Sequence, residues 1–184
     1  MEHLVEILIP SITEREGKLE ALLTRLAGLI GTDYRVTVSV NIDNREKSTG
    51  QKRNELLQDA VADYVCFLDD DDDVSDRYIE WLIKAAESGK DCASLIGSIE
   101  LHKDYWRPFF HTINYNRYFE DENGYYRPPN HLNLIRRDIA QNFTFPEITV
   151  SEDTAWAMKI CDAQVLKTEF TIPETIYYYK YFKG

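Results

Sequence analysis

The beginning of the chain combines a continuous apolar run with leucines at helical spacing. Residues 4–9 are almost all apolar and end at Pro10, as expected of a strand buried on both faces. Ser11 or Thr13 can cap the helix that follows, and Gly31 is expected to end it. The leucines that share one face of this helix are Leu19, Leu22, Leu23, Leu26 and Leu29. This segment therefore predicts a strand followed by a helix.

Two further strand–helix units follow. Alternating valines from Val36 predict a strand that stops near Asp43, and Gly50 is expected to open a helix. The inward positions of this helix are Leu56, Leu57, Ala60 and Val61. Residues 64–68 predict a third strand, and Ser75 can cap a helix. Its inward positions are Tyr78, Ile79, Leu82, Ile83 and Ala86. Three such units in series predict a mixed, mainly parallel α/β sheet flanked by helices.

The pattern changes from about residue 97. Residues 105–131 are dense in aromatic side chains that follow no helical period, so we expect strands and an ordered loop packed beside the sheet. Residues 132–135 and 176–179 predict strands, and residues 153–160 predict a helix.

Polar residues follow each of the first three predicted strands. Ser11, Asp43 and Asp69 fall at the carboxyl ends of these strands. In open parallel sheets, ligands bind at that edge. The three loops are therefore expected to share one crevice.

The third of these loops carries five consecutive aspartates, residues 69–73. Neighbouring charges about 5 Å apart repel by roughly 3 kcal/mol at an effective dielectric near 20. A solvated acidic loop is one interpretation. A calcium loop is another, but the spacing of an EF-hand is absent. A third, a Mg²⁺ or Mn²⁺ site shared with a substrate diphosphate, explains both the position and the compensation of the charges.

Composition and charge narrow the class of protein. The 184 residues are expected to form one domain, and the net charge of −11 argues against a general binder of nucleic acid without excluding a local basic groove. Three cysteines without metal spacing predict reduced core residues. The amino terminus lacks the basic flank of a signal peptide, and no stretch approaches the length of a membrane span. We therefore expect a cytoplasmic protein.

An ordered set of motifs resembles glycosyltransferase family 2, whose enzymes have the GT-A fold. The motifs are VEILIPSITERE, VSVNIDN, GQKRNELL, ADYVCFLDDDDDVSDRYIEWL, HLNLIRRDIA and SEDTAWAMKI. The segment YYRPPNHLNLIRR is similar to small family members from phage and bacterial genomes. The resemblance implies a single glycosyltransferase domain over residues 1–184. Residues 1–96 would form its nucleotide-sugar half, and residues 97–184 its acceptor and catalytic half.

The resemblance also implies a donor site. Asp43 matches the aspartate that reads the uracil or ribose, although the usual DDGS is here NIDN. The positions implied at the edge of the nucleobase are Pro10, Ser11, Thr13 and Glu14. Lys52, Arg53 and Asn54 match a helix start beside the base and phosphates, where a cationic pair suits a diphosphate. A solvated helix face is the alternative for Lys52 and Arg53.

The aspartate run matches the DxD motif of the family. Asp69 would lie toward the ribose and Asp71 would bind the metal directly, so that both surround Mn²⁺ or Mg²⁺. A register shift by one residue would give that role to Asp70. Asp72 and Asp73 are expected only to shape the loop.

Glu152 and Asp153 match the ED motif, in which the aspartate takes the proton from the acceptor hydroxyl as general base. Capping of the following helix by Ser151 or Asp153 is the alternative. We expect Glu152 and Trp156 to border the acceptor, although a core position for Trp156 is nearly as well supported.

The carboxyl-terminal segment departs from the family. A histidine often follows a YYYR strand there, whereas this chain has YYYKYFKG, with Lys180 and Tyr181 at that place. Lys180 is expected to bind the diphosphate directly. His131 is a candidate for phosphate or acceptor contact, and His111 is a weaker one.

Together these features predict an inverting, metal-dependent glycosyltransferase that uses a nucleotide-sugar donor. We expect this donor to be UDP-linked. The acceptor would be a hydroxyl on a glycan or on a modified base of phage DNA. A nucleotidyltransferase is an alternative, but the loop PSITEREGK is not the Gly-rich, basic loop that such enzymes carry. A non-catalytic nucleotide- or metal-binding module is another. The sequence does not indicate an oligomeric state.

Overall fold

The computed structural model describes residues 3–103 and 105–180, which fold into helices and two sheets. The helices are α1 (Glu16–Ile30), α2 (Thr49–Asp59), α3 (Tyr78–Glu87), α4 (Arg137–Ala140) and α5 (Glu152–Ala163), and a 3-10 turn (Thr13–Arg15) precedes α1. The strands are β1 (Val5–Ile12), β2 (Val36–Asp43), β3 (Tyr64–Phe67), β4 (Asp73–Val74), β5 (Cys92–Ala93), β6 (Leu95–His102), β7 (Tyr105–His111), β8 (Phe119–Asp121), β9 (Gly124–Arg127), β10 (Ile135–Arg136), β11 (Glu169–Phe170) and β12 (Thr175–Lys180).

The first sheet has the order β11-β5-β10-β3-β1-β2. Its centre is parallel, with Val5 of β1 opposite Val36 of β2 and Tyr64 of β3, while β10 is antiparallel to its neighbours. Side chains of β1 enter cores on both faces: Ile7 packs with α1 and α3, and Leu8 packs with α2 and α5. The predicted mixed, mainly parallel sheet flanked by helices is confirmed.

The aromatic segment forms three of the six strands of a second sheet, which has the order β4-β12-β6-β7-β9-β8. β6 pairs antiparallel with β7 and parallel with β12. A Cβ on Gly97 would lie 2.0 Å from the tip of the Phe109 ring, so glycine lets this ring approach β6 closely. The strands expected within residues 105–131 are therefore present as β7, β8 and β9.

Some predicted boundaries are wrong. β1 continues through Pro10 to Ile12, because beyond Leu8 it pairs only with β2, and proline is tolerated on a strand with an unpaired side. The strand expected over residues 132–135 contains only Ile135 and then Arg136, since residues 131–134 form a turn. Val61 was expected to face the core but is 66% exposed, because α2 ends before it.

Gly31 ends α1 as predicted, whereas the predicted caps at helix starts are wrong. No side chain caps α1 or α3 in the way expected of Ser11, Thr13 and Ser75. α2 begins one residue before Gly50, and Ser48 caps it in a reciprocal pair with Gln51. The side chains of Ser11 and Thr13 bond instead to neighbouring loops of the site.

Candidate functional site

The carboxyl ends of β1 and β3 open into a crevice of about 670 Å³, which α2, the loop before α5 and the end of β12 complete. The predicted residues that line it are Pro10, Ser11, Lys52, Arg53, Asp69, Asp70, Asp71, Glu152 and Lys180. Four cationic residues that were not predicted also line it, namely Arg15, Lys18, Arg45 and Lys47. The crevice is therefore rich in both carboxylates and cations.

The aspartate run enters the crevice with protein partners for its charges. Asp70 is buried and accepts hydrogen bonds from the Ser11 hydroxyl at 2.6 Å and from Arg15 at 2.8 Å. Asp71 is 24% exposed and pairs with Arg15 at 3.2 Å and with Lys18 at 3.9 Å. Burial, opposed by Arg15 and supported by the charges of Asp70 and its neighbour, raises the pKa of Asp71.

A buried arginine joins the end of β3 to the start of α5. Arg53 donates to Asp69 at 2.7 Å and to Glu152 at 3.2 Å, and its guanidinium lies 5.1 Å from the centre of the Phe67 ring. Burial alone would raise the pKa of Asp69, but the charge of Arg53 and contact with His131 hold it well below its usual value. Arg53 is 3% exposed, which contradicts a solvated helix face.

Asp72 does more than shape the loop. Its buried carboxylate accepts hydrogen bonds from the Tyr177 hydroxyl at 2.7 Å and from the Lys180 backbone at 3.1 Å, so it fixes β12 beside the crevice. Burial, with the nearby charge of Asp69, raises the pKa of Asp72 to about 8.

The last aspartate of the run, Asp73, lies in β4. Lys180 Nζ lies 3.4 Å from its carboxylate, and Arg25 lies 3.9 Å from it. Each of the five aspartates therefore contacts a cation or a hydroxyl of the protein itself. These partners relieve part of the repulsion within the run, and a bound metal stays a prediction.

Lys52 connects the ends of β1 and β2. Its ammonium, 3% exposed, donates to the Ser11 carbonyl at 2.6 Å and to Asp43 at 2.7 Å. The hydrogen bond from Lys52, opposed by burial, lowers the pKa of Asp43. Thr13 donates to the Asp43 carbonyl, and Glu14 is exposed and pairs with Arg45. Asp43, Thr13 and Glu14 thus border the crevice without lining it.

Two predicted site residues lie elsewhere. The Asn54 side chain donates to the Phe145 carbonyl at 3.0 Å and accepts from the Phe145 amide at 2.8 Å, which fixes a loop outside the crevice. Trp156 is 1% exposed, stacks on Phe145 at 4.7 Å and donates to the Phe143 carbonyl. Asn54 therefore lies outside the crevice, and Trp156 has the core position.

His131 lies between Asp69 and Asp153. Its Nε2 is 3.7 Å from Asp69, and its Nδ1 is 3.7 Å from Asp153 in the first turn of α5. No side chain caps this helix, which removes the capping role of Ser151 and Asp153. Asp69, His131 and Asp153 line a second cavity of about 430 Å³ on the side of the second sheet. The general-base candidate therefore faces this second cavity and is connected to the crevice through His131.

The metal-binding capacity of the site is limited. Among residues 3–103 and 105–180, no three His, Cys, Asp or Glu side chains form a group that could hold a metal ion. Asp69 and Asp71 both line the crevice and are 31% and 24% exposed. One or two carboxylates with substrate phosphates are the usual ligands of Mg²⁺. The donor set therefore fits a divalent cation if a phosphorylated ligand supplies further oxygens.

Other predicted features concern the chain as a whole. No helix in the described part of the chain is long and apolar enough to cross a membrane. Cys66, Cys92 and Cys161 are free thiols, and the first two are buried, as expected. Tyr181, one of the two positions considered for the missing histidine, lies outside the described residues.

A crevice at the carboxyl ends of parallel strands is the place where open α/β sheets bind their ligands. The family model described as Glycosyl transferase family 2 matches residues 10–159. The chain therefore belongs to glycosyltransferase family 2. A comparison with curated proteins finds no match.

Solved structures of S. aureus TarS share the fold, which is the GT-A fold expected from the sequence. One superposes with a TM-score of 0.67 at 15% identity, covering 98% of this chain and 37% of TarS. TarS 1-349 in complex with UDP gives 0.64 at 14% identity, with 98% and 61% covered. TarS 1-349 in complex with UDP-GlcNAc gives 0.61 at 14% identity, with 100% and 60% covered. This chain thus spans between 37% and 61% of the length of these structures.

Proposed function

We propose that the chain is an inverting glycosyltransferase that moves a sugar from a UDP-linked donor to an acceptor hydroxyl. The observation that carries this proposal is the pairing of a cation-lined crevice with a carboxylate, Asp153, in the neighbouring cavity. A donor diphosphate in the crevice would place its sugar toward Asp69 and His131, between the two spaces.

The charges of the crevice support a diphosphate ligand. The chain carries 32 acidic and 21 basic residues, yet Arg15, Lys18, Lys52, Arg53 and Lys180 all line this one crevice. Cations at a helix start and at a strand end suit phosphate oxygens. The uridine nucleotide is supported by family membership and by the TarS structures that contain UDP and UDP-GlcNAc.

A divalent cation, Mn²⁺ or Mg²⁺, belongs to this proposal. Asp71 and Asp69 would hold it together with the diphosphate. Such an ion would supply neutralisation of the charge that develops on the leaving diphosphate. Arg15 and Lys18 already contact Asp71, and Lys180 lines the same crevice, so protein cations share that task.

We assign the donor and the acceptor to different halves of the chain. Residues 1–96 would bind the donor, and residues 97–184 would bind the acceptor and supply the base. Asp153 takes the proton of the acceptor hydroxyl as its oxygen attacks the anomeric carbon. The bond from that carbon to the diphosphate oxygen breaks on the opposite side, and its electron pair leaves with UDP. The three free cysteines support a reducing compartment, so we place the reaction in the cytoplasm.

The substitution Asp153→Asn tests the role of the base. An amide cannot accept the proton, so transfer should fall by about 10²- to 10⁴-fold while UDP binding stays unchanged. Asp162→Asn, on the exposed face of the same helix, is the matched control and should transfer as wild type does. The donor for this assay comes from a thermal-shift screen of UDP-, GDP- and dTDP-sugars with Mn²⁺.

The possible results of these assays lead to different conclusions. If Asp153→Asn transfers the sugar as fast as wild type does, Asp153 is not the general base. No stabilisation by any nucleotide sugar contradicts the glycosyltransferase itself. Binding of the donor without transfer or hydrolysis favours a non-catalytic module.

A further inference from the structure

The second cavity combines an apolar wall with a larger number of polar side chains. Its apolar wall comes from the second sheet and the turn after it, and includes Ile99, Leu101, Phe109 and Leu132. Asp153 lies at one side, and Arg127 of β9 lies at another. A volume of about 430 Å³ falls within the range of small-molecule sites.

His111 presents a hydrogen-bond acceptor in this cavity. The ring is 1% exposed, and its Nδ1 lies 3.0 Å from Asn133 Oδ1. The Asn133 amide is fixed in orientation, because its nitrogen donates to the Ala93 carbonyl and its oxygen also accepts from the Asn130 amide. Nδ1 of His111 therefore carries the hydrogen, and Nε2 carries a lone pair.

The ring is also neutral. Burial, together with the charge of Arg127, lowers the pKa of His111 to about 3. Its Nε2 is buried and has no hydrogen-bond partner among the described residues. A buried polar atom without a partner costs roughly 1–3 kcal/mol, and native structures keep few of them. A hydroxyl donor in the cavity would satisfy this nitrogen.

The other histidine of the cavity differs from His111. Both ring nitrogens of His131 are buried and lie 3.7 Å from the carboxylates of Asp69 and Asp153. His111 Nε2 is thus the ring nitrogen in the described lining that has neither a hydrogen bond nor an ion pair. This nitrogen points to a hydroxyl donor that the protein alone does not supply.

We propose that the second cavity binds one sugar unit of the acceptor, and that His111 Nε2 accepts a hydrogen bond from a hydroxyl of that unit other than the attacking one. This proposal rests on the function proposed above, because the bound sugar is an acceptor only if the chain is a glycosyltransferase. It makes His111 a residue that selects among acceptors, whereas Asp153 acts on the attacking hydroxyl.

The lining favours a sugar over a base of DNA. Asp153 and His111 offer acceptor atoms, which suit the many hydroxyl donors of a sugar, and aliphatic side chains suit its C–H faces. Arg127 is the one cation in the described lining, and its guanidinium rests 5.2 Å from the centre of the Tyr118 ring. A polynucleotide would need a row of cations, which a net charge of −11 with a single lining arginine does not supply.

Two substitutions distinguish the role of His111 Nδ1 from that of His111 Nε2. In His111→Asn the side-chain amide reaches the place of Nδ1, so it keeps the hydrogen bond to Asn133 and loses the acceptor at Nε2. In His111→Gln the amide reaches the place of Nε2 and keeps an acceptor there. Binding of methyl glycosides of glucose, galactose and N-acetylglucosamine is measured by saturation-transfer NMR, with and without UDP. Wild type should bind at least one of them with a Kd on the order of 1 mM.

The variant that keeps the hydrogen bond to Asn133 should lose the most glycoside binding, and the variant that keeps an acceptor at the place of Nε2 should lose the least. His111→Asn should weaken glycoside binding roughly tenfold, as the loss of one hydrogen bond implies, and His111→Gln should weaken it less than threefold. The opposite order, equal loss in both variants, or no loss in either overturns the proposal. So does a wild type that binds no glycoside, or that prefers 5-hydroxymethyl-2′-deoxycytidine. UDP binding is read in the same samples, so a failure of the donor site is distinguished from a failure of this cavity.

Discussion

Arg53 illustrates how a single buried charge organises the site. Its guanidinium neutralises Asp69 at the end of β3 and Glu152 at the start of α5, and aromatic rings cover it. Without the guanidinium, the buried Glu152 would lose its cation, and the partly exposed Asp69 would keep only its contact with His131. The geometry of the crevice therefore depends on this residue as much as on the aspartates.

Arg53→Ala should destabilise the fold by about 3 kcal/mol or more, because it leaves Asp69 and Glu152 without their partner in a buried site. Arg45→Ala removes an exposed ion pair with Glu14 and should leave the stability close to that of wild type. Urea unfolding of both variants measures the difference. Equal stabilities would show that the Arg53 network does not hold the site together.

His111 should make the fold sensitive to acid. Its folded-state pKa of about 3 lies below the ordinary value of 6.5, so its contribution to stability is complete above pH 6.5 and is lost as pH falls toward 3. Between pH 7 and pH 5 this one group should remove about 2 kcal/mol from the free energy of unfolding. His111→Gln should lose less stability than wild type over that interval. Identical pH profiles in urea unfolding would contradict the buried, neutral ring.

At the scale of elements, the contact between α2 and the loop before α5 shapes one wall of the crevice. Gly50 donates its amide to the Ile148 carbonyl, and a Cβ there would lie 1.9 Å from the Pro146 carbonyl oxygen. Backbone contact this close requires glycine. The loop continues to Thr149 and Val150, which line the crevice.

Gly50→Ala should therefore destabilise the fold by about 2 kcal/mol or more, because backbone must move to admit the methyl group. Gly28→Ala is the control in α1, where nothing lies within 4 Å of the new atom, and it should stabilise by about 1 kcal/mol. Thermal unfolding of the two variants gives opposite shifts if the contact is real. A neutral Gly50→Ala would mean that the loop lies farther from α2.

The three β-α units could be predicted because each element is long and has a clear hydrophobic period. Strands of two residues, such as β4 and β10, carry no such pattern and exist only through tertiary pairing. The cap at Ser48 was missed because Gly50 was given the start of the helix. The composition of residues 105–131 indicated strands, but nothing local indicated that they pair in a second sheet.

At the scale of the whole molecule, topology determined what could be foreseen about the site. Ser11, Asp69 and Lys52 converge because the carboxyl ends of parallel strands meet at one edge. Asn54 follows Arg53 directly, and one step along a helix turns a side chain by about 100°, so it faces the loop instead.

Four cations of the crevice illustrate what the sequence pattern does not predict. Arg15, Lys18, Arg45 and Lys47 were not predicted, because no local pattern marks which surface cations turn toward the crevice. Two of them, Arg15 and Lys18, contact the run of aspartates. Arg15 and Lys18, with Arg25, Arg53 and Lys180, supply much of the charge that a metal ion was expected to provide.

Calorimetric titration with UDP, in the presence and absence of Mn²⁺, tests the central claim most directly. We expect one UDP to bind per chain. Lys18→Ala should weaken this binding because Lys18 lines the crevice, whereas Lys84→Ala, on an exposed face of α3, should leave it unchanged. Saturable binding with this difference between the two lysines is the predicted result. No heat of binding under either condition, or equal binding by both variants, would contradict a nucleotide site in the crevice.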